Sequence, residues 1–230
     1  MRNPYLTSII IPVFNGAKFI SSALDSVFKQ DYPHFEVIVV NDGSTDKSDS
    51  IIKSYDVRYI KQYNQGVAVA RNNGVNIASG EFLAFLDQDD IWLPNKLSLQ
   101  IDQFKTQKNL GYVLSHQILH LENGFAKPYW LKPEQLNQPI IGYLPSTLMV
   151  RTETFKKIGY FNDKFDIGSD SEWFFRAKGL DIEMKIMQEV LVRRLIHNSN
   201  QSHSVGDSHM ELLRIVKQAL VKKHQKSNDK

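Results

Sequence analysis

Cysteine is absent from this chain. No disulfide framework and no cysteine-ligated zinc centre can therefore underlie its function, and a reducing compartment is compatible with that. Long apolar runs are missing as well. The first, residues 9–14, is short and interrupted by Pro12, which suits neither a signal peptide nor a membrane span, so cytoplasmic residence is the expectation. Charge of one sign is not in excess: 28 Lys and Arg against 25 Asp and Glu leave +3. That is too little for nucleic-acid binding unless clustered, and clustering is confined mainly to residues 214–230. Two nucleotide fingerprints are also lacking. No G-x-G-x-x-G follows the first strand and no G-x-x-x-x-G-K-[ST] occurs anywhere, which speaks against a classical dehydrogenase and a P-loop enzyme. Internal repeats and low-complexity linkers are absent.

What is present looks like an ordinary globular enzyme. The composition is 42% hydrophobic and 23% charged over 230 residues, enough for one sizeable domain with an appendage. Residues 7–14, 35–40 and 82–86 read as buried strands and 57–60 as a further strand, with residues 17–28, 46–55, 67–78 and 94–105 as helices between and after them. Four alternations of strand and helix predict an α/β fold with a parallel sheet and right-handed crossovers. The rhythm then changes. Residues 111–121 read as a strand with Asn123-Gly124 as its turn, followed by residues 127–145, which hold four of the eight prolines and read as an irregular wall or lid rather than core. A short strand at 148–151, helices at 152–158 and 169–178, a strand at 182–193 and a last helix at 206–224 complete the chain.

The most informative stretch is Phe82-Leu83-Ala84-Phe85-Leu86-Asp87-Gln88-Asp89-Asp90, where an apolar strand ends in three carboxylates within four positions. Desolvation and mutual repulsion make such crowding costly unless a cation or an open cleft relieves it. In open α/β sheets ligands gather at the carboxyl ends of the strands, where these acids stand. An EF-hand does not fit, since Ile91 and Ser98 occupy positions that need oxygen ligands. Mg2+ or Mn2+ bound by one or two carboxylates plus substrate phosphates fits better, the bland alternative being helix capping. Asp42 ends the second strand on the same edge and suits either a base or ribose contact or an Asx-turn. Asp170 and Glu172 open a helix two residues apart, so they point in different directions; a catalytic acid and a simple cap are equally good readings there. His197, in a polar stretch after the last strand, is a ligand only if it lies near Asp89.

Together these segments resemble the family 2 glycosyltransferases of the GT-A fold, over roughly residues 7–200. The resemblance rests on Ile11-Pro12-Val13-Phe14-Asn15, Asn41-Asp42-Gly43-Ser44-Thr45-Asp46, Gln65-Gly66 with Ala70-Arg71-Asn72 and Gly74, and Leu86-Asp87-Gln88-Asp89-Asp90 with Trp92, Pro94 and Lys96. It implies a metal-dependent, inverting transferase that moves a sugar from a nucleotide-diphospho-sugar, commonly a UDP-sugar, to an acceptor hydroxyl, as in polysaccharide or glycoconjugate synthesis. Pro12, Val13, Asn15, Asp42, Arg71, Asp87 and Gln88 would hold the donor. Asp89, with Asp87 and His197, would hold Mn2+ or Mg2+, and Asp170 would be the base, with Glu172 as alternative because Ser169 replaces an acid usual in the family. That departure also defines the rival reading, a degenerate protein that binds a sugar nucleotide or carbohydrate without turnover. The implied layout is a catalytic domain at 1–205, its donor part about 5–110 and its acceptor part about 111–205. The basic, amphipathic helix at 206–230 either contacts a membrane bearing a lipid-linked acceptor, pairs with a second subunit, or packs on its own domain.

Overall fold

The computed structural model describes residues 5–129, 131–165, 167–198 and 200. The expected terminal helix at 206–224 lies outside them. Strands β1 (Thr7–Val13), β2 (Phe35–Asp42), β3 (Arg58–Gln62) and β4 (Phe82–Phe85) pair in parallel, joined by α1 (Ile20–Phe28), α2 (Ser48–Ile52) and α3 (Val67–Ile77). Every residue of β1 is buried, as a strand covered on both faces should be. Ile20, Ala23, Leu24 and Val27 of α1 are buried at the helical period, which seats that helix on one face of the sheet. On the other face α3 comes so close that a Cβ at Gly74 would stand 2.5 Å from Ile10 Cγ2. The register Val13↔Asn41 and Ile10↔Phe85 brings the carboxyl ends of β1, β2 and β4 to one edge.

Helices α1 and α2 are shorter than expected at their N-termini. Asp46 explains both, since its carboxylate accepts the Ala17 N–H and the Ser48 N–H, each at 2.9 Å. These bonds divert residues 17–19 and 46–47 into turns.

The second half is mixed. Next in the chain come β5 (Asp90–Trp92), α4 (Lys96–Thr106), β6 (Tyr112–Leu121), β7 (Ile140–Ile141), β8 (Met149–Arg151), α5 (Thr152–Ile158), α6 (Ser169–Gly179) and β9 (Met184–Ile196). The sheet order is β3-β2-β1-β4-β8-β6-β9-β5, with β7 on β6. Strand β8 runs antiparallel to both β4 and β6, while β9 runs parallel to β6. Strand β5 is not among the strands expected from sequence; it forms because Asp90, Ile91 and Trp92 pair with Arg194, Arg193 and Val192. β9 therefore runs past its expected end at 193 and carries His197 toward the acids.

Residues 127–145 need a correction. They were expected to stay outside the core, yet Leu131 is fully buried and Leu144 nearly so. Leu131 forms a small apolar cluster with Leu119 and Ile196. Two of the prolines start 3-10 turns, at Pro133–Gln135 and Pro145–Thr147, where a fixed φ and a missing N–H do no harm.

Glu36 on β2 locks the N-terminal edge of the sheet. Its carboxylate accepts from Ser8 Oγ at 2.5 Å, Arg58 Nη1 at 2.8 Å, and the Ser79 N–H and hydroxyl at 2.7 Å. Burial alone would raise this carboxyl, but those hydrogen bonds outweigh it and hold the group down at about 2. A depressed folded-state value stabilises the protein above the unfolded carboxyl range and is lost as pH falls toward about 2. Glu36→Gln is therefore expected to flatten the fall in melting temperature between about pH 5 and pH 3, measured by calorimetry against wild type.

Candidate active site

The strand-end edge opens into a cleft of about 400 Å³. Of the residues expected to hold a donor, Pro12, Val13, Asp42, Arg71, Asp87 and Gln88 line it. Asn15 is exposed and does not line it. Its Oδ1 accepts the Thr45 N–H at 2.9 Å and its own N–H donates to Ser44 Oγ at 2.9 Å, so it staples the β1 and β2 loops together, using a left-handed φ of 48° that asparagine tolerates. Gln88 performs a similar service, accepting the Phe14 N–H at 2.9 Å and donating to the Phe14 carbonyl at 3.1 Å. Asp42 accepts from Gln62 Nε2 and from the Gln65 and Gly66 N–H groups at 2.7–2.9 Å. That fixes the loop before α3 and leaves the carboxylate at the cleft wall.

Each acid at the end of β4 has a different partner. Asp87 Oδ1 accepts from Arg71 Nη2 at 2.5 Å, and that buried guanidinium lies 5.6 Å from the Phe161 ring. Asp89 Oδ2 lies 2.8 Å from His197 Nε2 and 2.9 Å from Asn200 Nδ2. His197 is 2% exposed and packs on the Phe19 ring. Spacing could not place it, but the structure brings it onto Asp89. Asp90 is buried and accepts from Ser146 Oγ at 2.6 Å. Burial first, then the charges of Asp89 and Asp87, push its carboxyl well above the usual range against the opposing pull of Arg194.

Asp170 stands in the same cleft, at the start of α6, with Gly168 and Ser169 beside it. Its Oδ1 accepts the Ser171 N–H at 2.7 Å, so it also helps to start its helix. Glu172 is committed elsewhere. Both its oxygens take the Arg176 Nε–H at 2.9 Å, and Arg176 donates onward to the Ile158 and Tyr160 carbonyls. That buckle ties α6 to the end of α5 and leaves Asp170 as the acid facing the cleft.

Three further residues belong to the site that sequence reasoning did not assign. Asn200 follows His197 by three positions and accepts its N–H at 2.6 Å, a turn signal with nothing chemical about it. Arg194 reaches the cleft because β9 pairs with β5. Ser146 is fully buried, and its hydroxyl oxygen accepts the Asp87 N–H at 3.2 Å while its carbonyl accepts Trp92 Nε1–H at 2.8 Å. It holds the whole turn from Asp87 to Trp92.

With Asp90 favoured as the neutral acid, the lining sets Asp42, Asp87, Asp89 and Asp170 against Arg71 and Arg194. A diphosphate entering that field is repelled unless a cation comes with it. The residues fit such a cation. Asp89 and His197 offer an oxygen and an imidazole nitrogen side by side, while among the described residues no three His, Asp or Glu side chains group as a complete cage. Mg2+ and Mn2+ are commonly held in this way, by few protein ligands with phosphate and water completing the shell.

Residues 8–174 match the family model described as Glycosyl transferase family 2. An uncharacterised glycosyltransferase of Rickettsia typhi is 33% identical over 224 residues, covering 88% of this chain and 68% of that protein. The Escherichia coli UDP-Glc:alpha-D-GlcNAc-diphosphoundecaprenol beta-1,3-glucosyltransferase WfgD is 44% identical over 113 residues, 47% of this chain and 44% of its own. The crystal structure of S. aureus TarS 1-349 in complex with UDP superposes with a TM-score of 0.72 at 22% identity, covering 94% of this chain and 65% of that one. That likeness establishes the expected GT-A fold. The chain spans about two thirds or less of the length of these relatives.

Removing the Ser146 hydroxyl leaves the buried Asp90 carboxyl and the Asp87 N–H without their partner. Ser146→Ala is expected to lose about 1–3 kcal/mol of stability, read from the midpoint of a urea titration.

Proposed function

The chain belongs to glycosyltransferase family 2, and on that premise we propose that it transfers a sugar from a UDP-sugar to an acceptor hydroxyl with inversion, using a divalent metal. The observation that carries this reading is that Asp89, which lines the same cleft as Asp170, lies 2.8 Å from the buried His197. The donor side is built from residues within 5–110 and the acceptor side from residues within 111–205. Asp42 and the loop before α3 face the nucleoside. Arg71, already held against Asp87, is the cation placed to meet the diphosphate. A bound Mn2+ or Mg2+ neutralises charge on the departing diphosphate, and Asp89 and His197 are the residues that would hold it.

Asp170 supplies the proton acceptor. The acceptor hydroxyl loses its proton to the Asp170 carboxylate as its oxygen bonds to the anomeric carbon. The bond from that carbon to the diphosphate oxygen breaks, and its electron pair leaves with the nucleoside diphosphate. The sugar passes through an oxocarbenium-like state and emerges with inverted configuration.

UDP is chosen because the TarS structure contains it and the name of WfgD specifies UDP-Glc. WfgD also acts on a sugar linked to diphosphoundecaprenol, and a lipid-linked sugar is the acceptor class proposed here. Such an acceptor places the protein at the cytoplasmic face of a membrane. Among the described residues no helix is long and apolar enough to cross one.

Thermal shift with UDP, with and without Mn2+, tests the proposal. Wild type is expected to gain a higher midpoint only with both present, and Asp89→Ala to lose that gain. Asp170→Asn should keep it while release of UDP from a UDP-sugar falls about 10²- to 10⁴-fold. A metal-independent shift, or undiminished turnover in Asp170→Asn, would contradict the assignment.

A further inference from the structure

We propose that Tyr143 is a stacking platform for a pyranose ring of the acceptor, an inference that rests on the glycosyltransferase reading above. Tyr143 is 53% exposed and lies outside the lining of the donor cleft. Other aromatics are as bare, but the main chain that presents this one is held from several directions. The Gly142 N–H donates to the Ser115 carbonyl at 3.2 Å, and the Thr147 hydroxyl donates to the Gly142 and Leu144 carbonyls at 2.5 and 3.0 Å. Leu144 is buried, and a Cβ at Gly142 would collide with the Thr147 methyl group. Half in water on such a fixed support, the ring is pre-organised to receive a flat apolar ligand.

Its position relates it to both ends of the proposed chemistry. The ring stands edge-to-face with Phe174, 5.9 Å between centroids at 85°. Phe174 follows Asp170 by four residues in α6, so the two share a face of the helix about one turn, or about 5.4 Å, apart. In the other direction Tyr143 is three residues from Ser146, whose hydroxyl holds Asp87 and Asp90. Three residues span at most about 11 Å. Phe174 thus ties the ring to the helix that carries the proposed base, and three residues of chain tie it to Ser146.

The chemistry of the ring selects the ligand. A phenol has an electron-rich face and a polar tip. A pyranose offers an apolar C–H face of matching size and keeps its hydroxyls in water, which a half-exposed ring permits. The acceptor hydroxyl then projects from a sugar that is held flat and oriented, the kind of positioning that lowers a bimolecular barrier.

Saturation-transfer-difference NMR on the whole chain with UDP and Mn2+ tests this, using the methyl glycosides of glucose, N-acetylglucosamine, galactose and mannose as probes. Wild type and Tyr143→Phe are expected to saturate the ring C–H protons of at least one glycoside. Tyr143→Ala should bind that glycoside about two- to tenfold more weakly, with its UDP-induced thermal shift unchanged. If wild type shifts with UDP yet saturates none of the four, or if Tyr143→Ala binds as tightly as wild type, the platform is wrong and the donor reading stands. If UDP gives no shift in wild type, both fall together.

Discussion

The crowding of Asp87, Asp89 and Asp90 at the end of β4 is the constraint on which the rest of this structure depends. Like charges this close raise one another's cost, and burial raises it further. The protein relieves each acid differently. Arg71 lies on Asp87 at 2.5 Å, His197 and Asn200 lie on Asp89 within 3 Å, and Asp90 is buried under the Ser146 hydroxyl with its carboxyl pushed toward the neutral form. Only Asp89 has an imidazole against it, a side chain that is itself a common metal ligand. The same local problem therefore sets Asp89 beside an imidazole, Asp87 on a guanidinium and Asp90 under a hydroxyl.

Relieving the three acids recruits distant chain. Arg71 comes from α3, Ser146 from the 3-10 turn before β8, and His197 from just beyond β9. A second layer supports them. Lys96 is fully buried, with Nζ 4.0 Å from the Trp92 ring centroid and 2.7 Å from Gln100 Oε1. Burial pulls its pKa well down. Gln100 in turn donates to the Thr147 carbonyl at 2.8 Å, next to Ser146. A residue that reads in sequence as part of the acidic motif is thus a strut beneath it.

The parallel half of the sheet was readable because β1 and β4 are wholly buried and β2 nearly so, while α1 keeps a single apolar stripe; only the edge strand β3 stands in water. The acids were readable for the opposite reason, because Asp87 and Asp89 break an apolar run where no fold needs them. Legibility failed where pairing is long-range. Strand β5 exists only through β9, about a hundred residues later in the chain, and no local pattern in Asp90-Ile91-Trp92 announces it. Ser146 and Asn200 carry ordinary turn chemistry and gain meaning only from what the sheet order sets beside them. Glu172 and Asp170 were locally equivalent, and Arg176 together with the carbonyls at the end of α5 separates them.

The central claim is that Asp89 and His197 hold the cation that meets the donor's diphosphate. Crystals grown with UDP and Mn2+, measured with X-rays of energy just above the manganese absorption edge, test it most directly. An anomalous peak is expected within coordinating distance of Asp89 and His197, with the diphosphate on its far side. A peak held by other residues, or ordered UDP with no manganese between it and Asp89, would contradict it.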